Sequence, residues 1–231
     1  MTDSAVSVVI PTRNYAHYLG KAIESAVGQE NVDVQVVVVD DGSEDATAEV
    51  SAAYPVEYVR IDHSGVGTAR NVGIDRAQHE LVAFLDADDL WKPDKLRRQL
   101  DRLSSAPEAH MVYGLVQEFL SDDATAEVAA EVLVRSDPYR APIPSTMLLP
   151  RTTLDLVGEF RSARDSGEAL DWMLRFKELG LRSVAVDDVV TLRRVHATNS
   201  GRTTREAQQQ EYLRAVRRSL ERRRVSERDG D

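Results

Sequence analysis

Leu81-Val82-Ala83-Phe84-Leu85 runs directly into Asp86-Ala87-Asp88-Asp89. The apolar run predicts a strand covered on both faces, and the abrupt switch to carboxylates predicts that its C-terminal end opens into a polar crevice. Open α/β sheets hold their ligands in such crevices, beyond the carboxyl ends of the strands. Asp86, Asp88 and Asp89 repel one another at neutral pH, so this end needs either a cation between them or solvent to screen them. Mg²⁺ or Mn²⁺ suits carboxylate oxygens and also takes oxygens from a phosphate. The competing reading is an acidic N-cap for a helix that begins near Trp91-Lys92-Pro93.

Upstream, Val6-Ser7-Val8-Val9-Ile10, closed by Pro11-Thr12, and Val34 to Val39, closed by Asp40-Asp41-Gly42-Ser43, read as two more strands. Between them Tyr18, Leu19, Ala22, Ile23, Ala26 and Val27 recur at helical spacing, which predicts a helix from about His17 to Gly28. Ser43 to about Ala53 reads as a helix capped by Ser43, Val56 to Arg60 as a strand, and Gly65 to about Gln78 as a loop entering a helix. This alternation predicts an α/β fold, a doubly wound and mainly parallel sheet flanked by helices, with right-handed crossovers. It also places the polar ends of the valine runs on one sheet edge.

Downstream, the pattern predicts a helix to about Leu103, a strand from Ala109 to Leu120, and an irregular excursion from Leu120 to Pro150 that frames an acceptor pocket. Thr146 to Leu149 then reads as a strand, and Arg151 to Val157 and Glu168 to Leu179 as helices, the latter stopped by Gly180. Val184 to Val186 and Val189 to Leu192 read as a last pair of strands. The predicted organisation is one domain over 1–200, with a nucleotide half at about 5–100 and an acceptor half at about 101–200, then an arginine-rich helix over 201–231. That helix aligns Tyr212, Leu213, Val216 and Leu220. The stripe is read as packing on the domain or making a homodimer, ahead of an anionic membrane surface, because interspersed acids weaken lipid attraction.

With 29 Lys+Arg against 39 Asp+Glu, the net charge of -10 argues against nucleic acid as a partner. The absence of cysteine excludes disulfides, thiolate zinc and a catalytic thiol, and fits a reducing cytoplasm. The first residues lack a basic n-region, and no apolar run approaches the ~20 residues of a membrane span. The expectation is a cytoplasmic protein with at most peripheral membrane contact.

Val8-Val9-Ile10-Pro11-Thr12-Arg13-Asn14, Val38-Val39-Asp40-Asp41-Gly42-Ser43, Gly67-Thr68-Ala69-Arg70-Asn71-Val72-Gly73 and Phe84-Leu85-Asp86-Ala87-Asp88-Asp89 together resemble the family 2 glycosyltransferases of the GT-A fold. The resemblance is strong over about 5–100 and returns from Phe160 to His196. It implies that a nucleotide lies across Pro11 and Thr12, with Asn14 in the same block, that Asp41 recognises the base, commonly uracil, and that Arg70 supports the nucleotide. Asp86 and Asp88 resemble the DxD pair, the first near the ribose and the second holding Mn²⁺ or Mg²⁺. His196 resembles the late histidine that completes the metal's coordination, while a neighbouring arginine meets the diphosphate. The implied reaction moves a sugar from a nucleotide-sugar donor, most simply a UDP-sugar, to an acceptor hydroxyl on a saccharide, lipid-linked or peptide partner, with inversion. A bound metal would stabilise the charge that builds on the departing diphosphate.

The general base departs from the family pattern. Members carry Glu-Asp where this chain begins a helix with Gly167-Glu168-Ala169-Leu170-Asp171-Trp172, so Ala169 stands at the usual base position. Glu168 and Asp171 are three apart on one helix face, so either is a candidate, and Asp165 is a third. Trp91 and Trp172 read as core residues or as platforms for a sugar face. Ala169 also motivates a different-class alternative, a non-catalytic sugar-nucleotide binder or assembly protein of the same fold. A Rossmann dehydrogenase is rejected because Gly65, Gly67 and Gly73 have the wrong spacing and follow the third strand. A D-x-D phosphatase would place its motif after the first strand, and a sugar nucleotidyltransferase would need glycine in the Pro11-Thr12-Arg13-Asn14 loop.

Overall fold

The computed structural model describes residues 5–124, 134–161, 167–196 and 213–222. β-branched side chains, stiff at χ1 and suited to a pleated surface, fill the strands of the first half. These are β1 (Ala5–Thr12), β2 (Asp33–Asp41), β3 (Glu57–Ile61) and β4 (Leu81–Phe84). β5 (Leu90–Trp91), β6 (Met111–Leu120), β7 (Tyr139–Arg140), β8 (Leu148–Pro150) and β9 (Ser183–Val195) complete one sheet. Its order is β3-β2-β1-β4-β8-β6-β9-β5, with β7 paired to β6.

The β3-β2-β1-β4 strands are mutually parallel, so their C-terminal ends share one edge. β8 runs antiparallel to both β4 and β6, and these two reversals cancel. β9 is parallel to β6, so β9 also ends at the edge where β1, β2 and β4 end. That geometry brings His196, just beyond β9, to the same side as Asp86 and Asp88. The long ladders are parallel, while the antiparallel ones are short and all involve strands of the second half.

Side-chain alternation divides the core. Val6, Val8 and Ile10 pack with Leu19, Ala22, Ile23 and Ala26 of α1 (Ala16–Val27) and Leu96 of α4 (Lys95–Ser104). On the other face, Val9, Val82 and Phe84 pack with Leu154 of α5 (Arg151–Val157) and with Phe160, Trp172 and Phe176. The latter two belong to α6 (Glu168–Glu178), while Ala69 of α3 (Val66–Arg76) covers Val37 and Val39. Each fully buried aliphatic or aromatic side chain contributes about 1.5–3 kcal/mol, which is why the valine runs need no polar alternation.

Four local expectations are corrected. Ser43 does not cap a helix: α2 is Thr47–Ala52, and Asp45 Oδ1 accepts the Thr47 N–H at 3.1 Å. No helix begins at Trp91-Lys92-Pro93, because Leu90 and Trp91 pair with Leu192 and Thr191 and α4 starts only at Lys95. Pro144–Thr146 forms a 3₁₀ turn, which delays β8 to Leu148. The two predicted last strands are one, β9, whose register against β6 shifts beyond Tyr113. There Arg140 and Arg98 draw Asp187 and Asp188 into ion pairs.

A last helix, α7, covers 213–222. The remainder of the predicted tail helix, 201–212 and 223–231, and the candidate base Asp165 lie outside the described residues. Among the described residues no helix is long and apolar enough to cross a membrane.

Candidate active site

At the shared edge, the loop after β1 is tied to the loop after β2. The Asn14 N–H donates to Ser43 Oγ at 2.9 Å, and Asn14 Oδ1 accepts the Glu44 N–H at 2.8 Å. Asn14 has φ 57°, a left-handed conformation that asparagine tolerates. Thr12 is buried, and its Oγ1 has no hydrogen-bond partner. Pro11 lies beside it, paired in register with Val39.

Asp40 and Asp41 do different work. Asp40 is fully buried and accepts the Ser43 N–H at 2.7 Å, the Tyr58 hydroxyl at 2.6 Å and Arg60 at 3.2 Å. Asp41 accepts the Ser64 N–H through Oδ1 at 2.6 Å and the Gly65 N–H through Oδ2 at 3.0 Å, which satisfies backbone donors at the start of α3. His63 Nδ1 lies 2.8 Å from the same Oδ2. Gly42 makes the intervening turn at φ 77°, where a side chain would be strained.

Each acid of the Asp86-Asp88-Asp89 cluster has its own electrostatic arrangement. Asp86 Oδ1 accepts Arg70 at 2.9 Å, and its backbone N–H donates to Ser145 Oγ at 3.1 Å. Asp88 Oδ2 lies 3.1 Å from His196 Nε2. Asp89 is buried, and burial together with repulsion from Asp88 and Asp86 pushes its pKa well above the carboxylate range. Arg70 beside Asp86 and the raised pKa of Asp89 both lessen the predicted repulsion.

Arg70 links the two halves. Nη1 donates to Glu168 Oε1 at 2.5 Å, Nη2 donates to Asp86, and Nε is buried without a partner. Burial would lower the guanidinium pKa, but Asp86 and Glu168 outweigh it and hold the group above its ordinary value. Glu168 Oε2 accepts the Gly167 N–H at 3.0 Å, so the first turn of α6 presents this carboxylate to Arg70. Gly67 permits the approach, since a Cβ there would lie 2.9 Å from the Arg161 carbonyl oxygen and 3.4 Å from Glu168 Cγ.

Asp171 is not brought to Arg70. It is fully buried and faces Arg175 at 3.1 Å, Arg222 at 3.4 Å, Arg161 at 3.5 Å and Arg218 at 3.6 Å. Three residues along a helix leave two side chains about 60° apart, enough here to give Glu168 and Asp171 separate surroundings.

The family described as Glycosyl transferase family 2 matches residues 7–155. The chain belongs to glycosyl transferase family 2. The succinoglycan biosynthesis protein ExoO of Rhizobium meliloti is 46% identical over 105 residues, which are 44% of this chain and 30% of that protein. An uncharacterised glycosyltransferase of Rickettsia typhi is 28% identical over 216 residues, 86% of this chain and 66% of that one. In fold, the chain is similar to S. aureus TarS in complex with UDP-GlcNAc, with a TM-score of 0.68 and 19% identity over 85% of this chain and 60% of TarS. The chain thus spans less than two thirds of each of these relatives.

In this family member, both tryptophans are core residues and not sugar platforms. Trp172 stacks between Phe160 and Phe176, and Trp91 Nε1 donates to the Ser145 carbonyl at 2.7 Å. Arg194 Nε donates to the Asp88 carbonyl oxygen at 3.0 Å, whereas Arg193, on the other face of β9, meets Glu118. Sequence reasoning missed His63, Ser145 and the backbone role of Arg194. His63 was findable, since it follows β3 by two residues and parallel strands deliver their ends to one edge. Ser145 carried no signal, because only the long-range pairing of β8 with β4 brings it under Asp86.

Proposed function

We propose that the protein transfers a sugar from a UDP-sugar to an acceptor hydroxyl with inversion, assisted by Mn²⁺ or Mg²⁺. The pairing of Asp88 with His196 across the sheet edge at 3.1 Å carries this reading. The Asp88 carboxylate suits either ion, the His196 imidazole favours Mn²⁺ over the harder Mg²⁺, and such ions complete their coordination with phosphate oxygens and water. Among the described residues no group of three His, Cys, Asp or Glu could hold an ion unaided, so Asp88 and His196 would share it with the nucleotide's phosphates. When bound, the ion would supply charge stabilisation to the leaving diphosphate.

Each remaining task falls to a residue of the chain. Asp41 Oδ1 keeps a lone pair beyond its bond to Ser64, which can accept a pyrimidine N–H. Arg70 provides a buried cation beside Asp86, where it would support the nucleotide, and the unpartnered Thr12 Oγ1 and Arg70 Nε mark unused donors on that side. Glu168 takes the acceptor's proton as the hydroxyl oxygen bonds to the anomeric carbon and the bond to the diphosphate breaks on the opposite face. Asp171 is the weaker candidate because arginines occupy it and solvent does not reach it. UDP is preferred on the strength of the likeness to TarS, whose complex contains UDP-GlcNAc.

One observation favours the non-catalytic reading. Arg70 and the Gly167 N–H each occupy one Glu168 carboxylate oxygen, and Ala169 offers no substitute. Thermal-shift measurements with UDP, GDP, TDP and their sugars, with and without Mn²⁺, test binding. A ligand at a hundred times its Kd adds about 2.7 kcal/mol of stability. The largest shift is expected for UDP species with Mn²⁺, and no response to any nucleotide would reject the proposal. UDP release from the donor then separates an enzyme from a binder, which shows none.

A further inference from the structure

α7 turns an unforeseen side toward the domain. Ala215 and Ser219 are buried, Ser219 Oγ donates to Glu178 Oε1, and Arg222 Nε donates to Glu178 Oε2 at 2.7 Å. Arg218 and Arg222 also approach Asp171, so α7 is latched to α6 by two carboxylates. The expected packing of the apolar stripe on the domain is thereby corrected. Leu213, Val216 and Leu220 lie on the opposite side, 68%, 43% and 51% exposed, beside exposed Arg214 and Arg217.

We infer that this outward face of α7 docks the protein on an anionic lipid surface. Aliphatic side chains flanked by arginine suit the boundary between headgroups and acyl chains, where the apolar groups enter and the guanidinium groups stay with phosphate. The charge is local: residues 202–224 hold eight arginines and three glutamates within a chain of net charge -10. Glu221 is the only acid in α7, so the acids that argued against lipid in the whole tail are sparse on this helix. The latch matters because it commits Ala215, Ser219 and Arg222 inward and fixes which side faces out.

A second copy of the chain is the rival occupant, and it fits poorly. Three part-exposed aliphatic side chains fall far short of the ~800 Å² per partner that a stable dimer buries. Antiparallel pairing of two such helices through this stripe would also bring two copies of Arg217 together near its centre, with like-charge repulsion.

Co-sedimentation of the full chain with vesicles tests the inference without any nucleotide, so its outcome is independent of the proposed transfer reaction. Vesicles containing phosphatidylglycerol should bind at least about fivefold more protein than pure phosphatidylcholine, and added salt should reduce the difference. Arg217→Gln should lower binding about fivefold, and Leu220→Ser should lower it as well. Neither residue is part of the latch, so circular dichroism and thermal midpoint should not change. Equal binding to both vesicle types, no binding, or undiminished binding by both variants would overturn the inference. So would a two-chain mass in light scattering that Leu220→Ser restores to one chain.

Discussion

In the half of the sheet built from β1 to β4, the candidate side chains lie at or just beyond strand ends or in the helix that follows. They are held by neighbours on the same edge: Asn14 by Ser43, Asp41 by Ser64 and Gly65. In the other half, Glu168 reaches Arg70 across 98 residues of chain, and His196 reaches Asp88 across 108. Parallel register delivers the first set as a by-product of folding, whereas the second depends on a few polar pairs. Substitutions in the second half should therefore separate function from stability more cleanly.

The largest effect is expected from Glu168→Gln. Loss of a general base lowers kcat about 10²–10⁴-fold, while UDP affinity, which the proposal assigns to the first half, should persist in a thermal-shift assay. If Asp171→Asn produced that kinetic loss and Glu168→Gln did not, the two carboxylates would exchange roles.

Asp171→Ala probes the latch instead. Removing a buried carboxylate from among Arg161, Arg175, Arg218 and Arg222 leaves their charges opposed, and a loss of about 3 kcal/mol in urea unfolding is expected. Unchanged stability would show that the half-exposed arginines simply turn to water.

Gly67→Ala sharpens the boundary between the halves. Its Cβ would press on the Arg161 carbonyl and on Glu168, so overpacking should cost about 1–3 kcal/mol. Turnover should fall more than UDP binding. An equal fall in both would mean that α3 moves as a whole.

The smallest effect concerns Lys95, buried over the Trp91 ring at 3.9 Å and bonded to Gln99 at 2.7 Å, at the seam with Met147. Burial pushes its pKa well below the ordinary lysine value. Between that depressed value and about 10.4, the unfolded chain binds more protons than the folded one, so this residue makes stability rise with pH. Lys95→Met should flatten that slope in denaturation measured across alkaline pH, and an unchanged slope would contradict the assignment.

The first half was legible because valine runs and their polar ends report strand, edge and site together. The Asp86-Asp88-Asp89 cluster was legible as a polar strand end, whereas its partners Arg70 and His196 come from elsewhere in the chain. The role of Ser43 was misread because a serine before a helical pattern looks like a cap, whereas Asp40 engages its N–H and Asn14 its hydroxyl. β9 was split because Asp187-Asp188 looks like a turn, yet both acids leave the ladder for arginines on β7 and α4. The inward face of α7 was illegible: its partners Glu178 and Asp171 lie 41 and 51 residues away from Ser219 and Arg222, and an apolar stripe ordinarily faces the core.

The central claim is that Asp88, with His196, offers a place for a divalent cation that a nucleotide diphosphate completes. Titration calorimetry of UDP into the wild-type chain and Asp88→Ala, with and without Mn²⁺, tests it most directly. The account predicts that Mn²⁺ tightens UDP binding at least about tenfold in the wild type, equivalent to ~1.4 kcal/mol, and has no effect in Asp88→Ala. Equal tightening in both proteins, or none in the wild type, would contradict it.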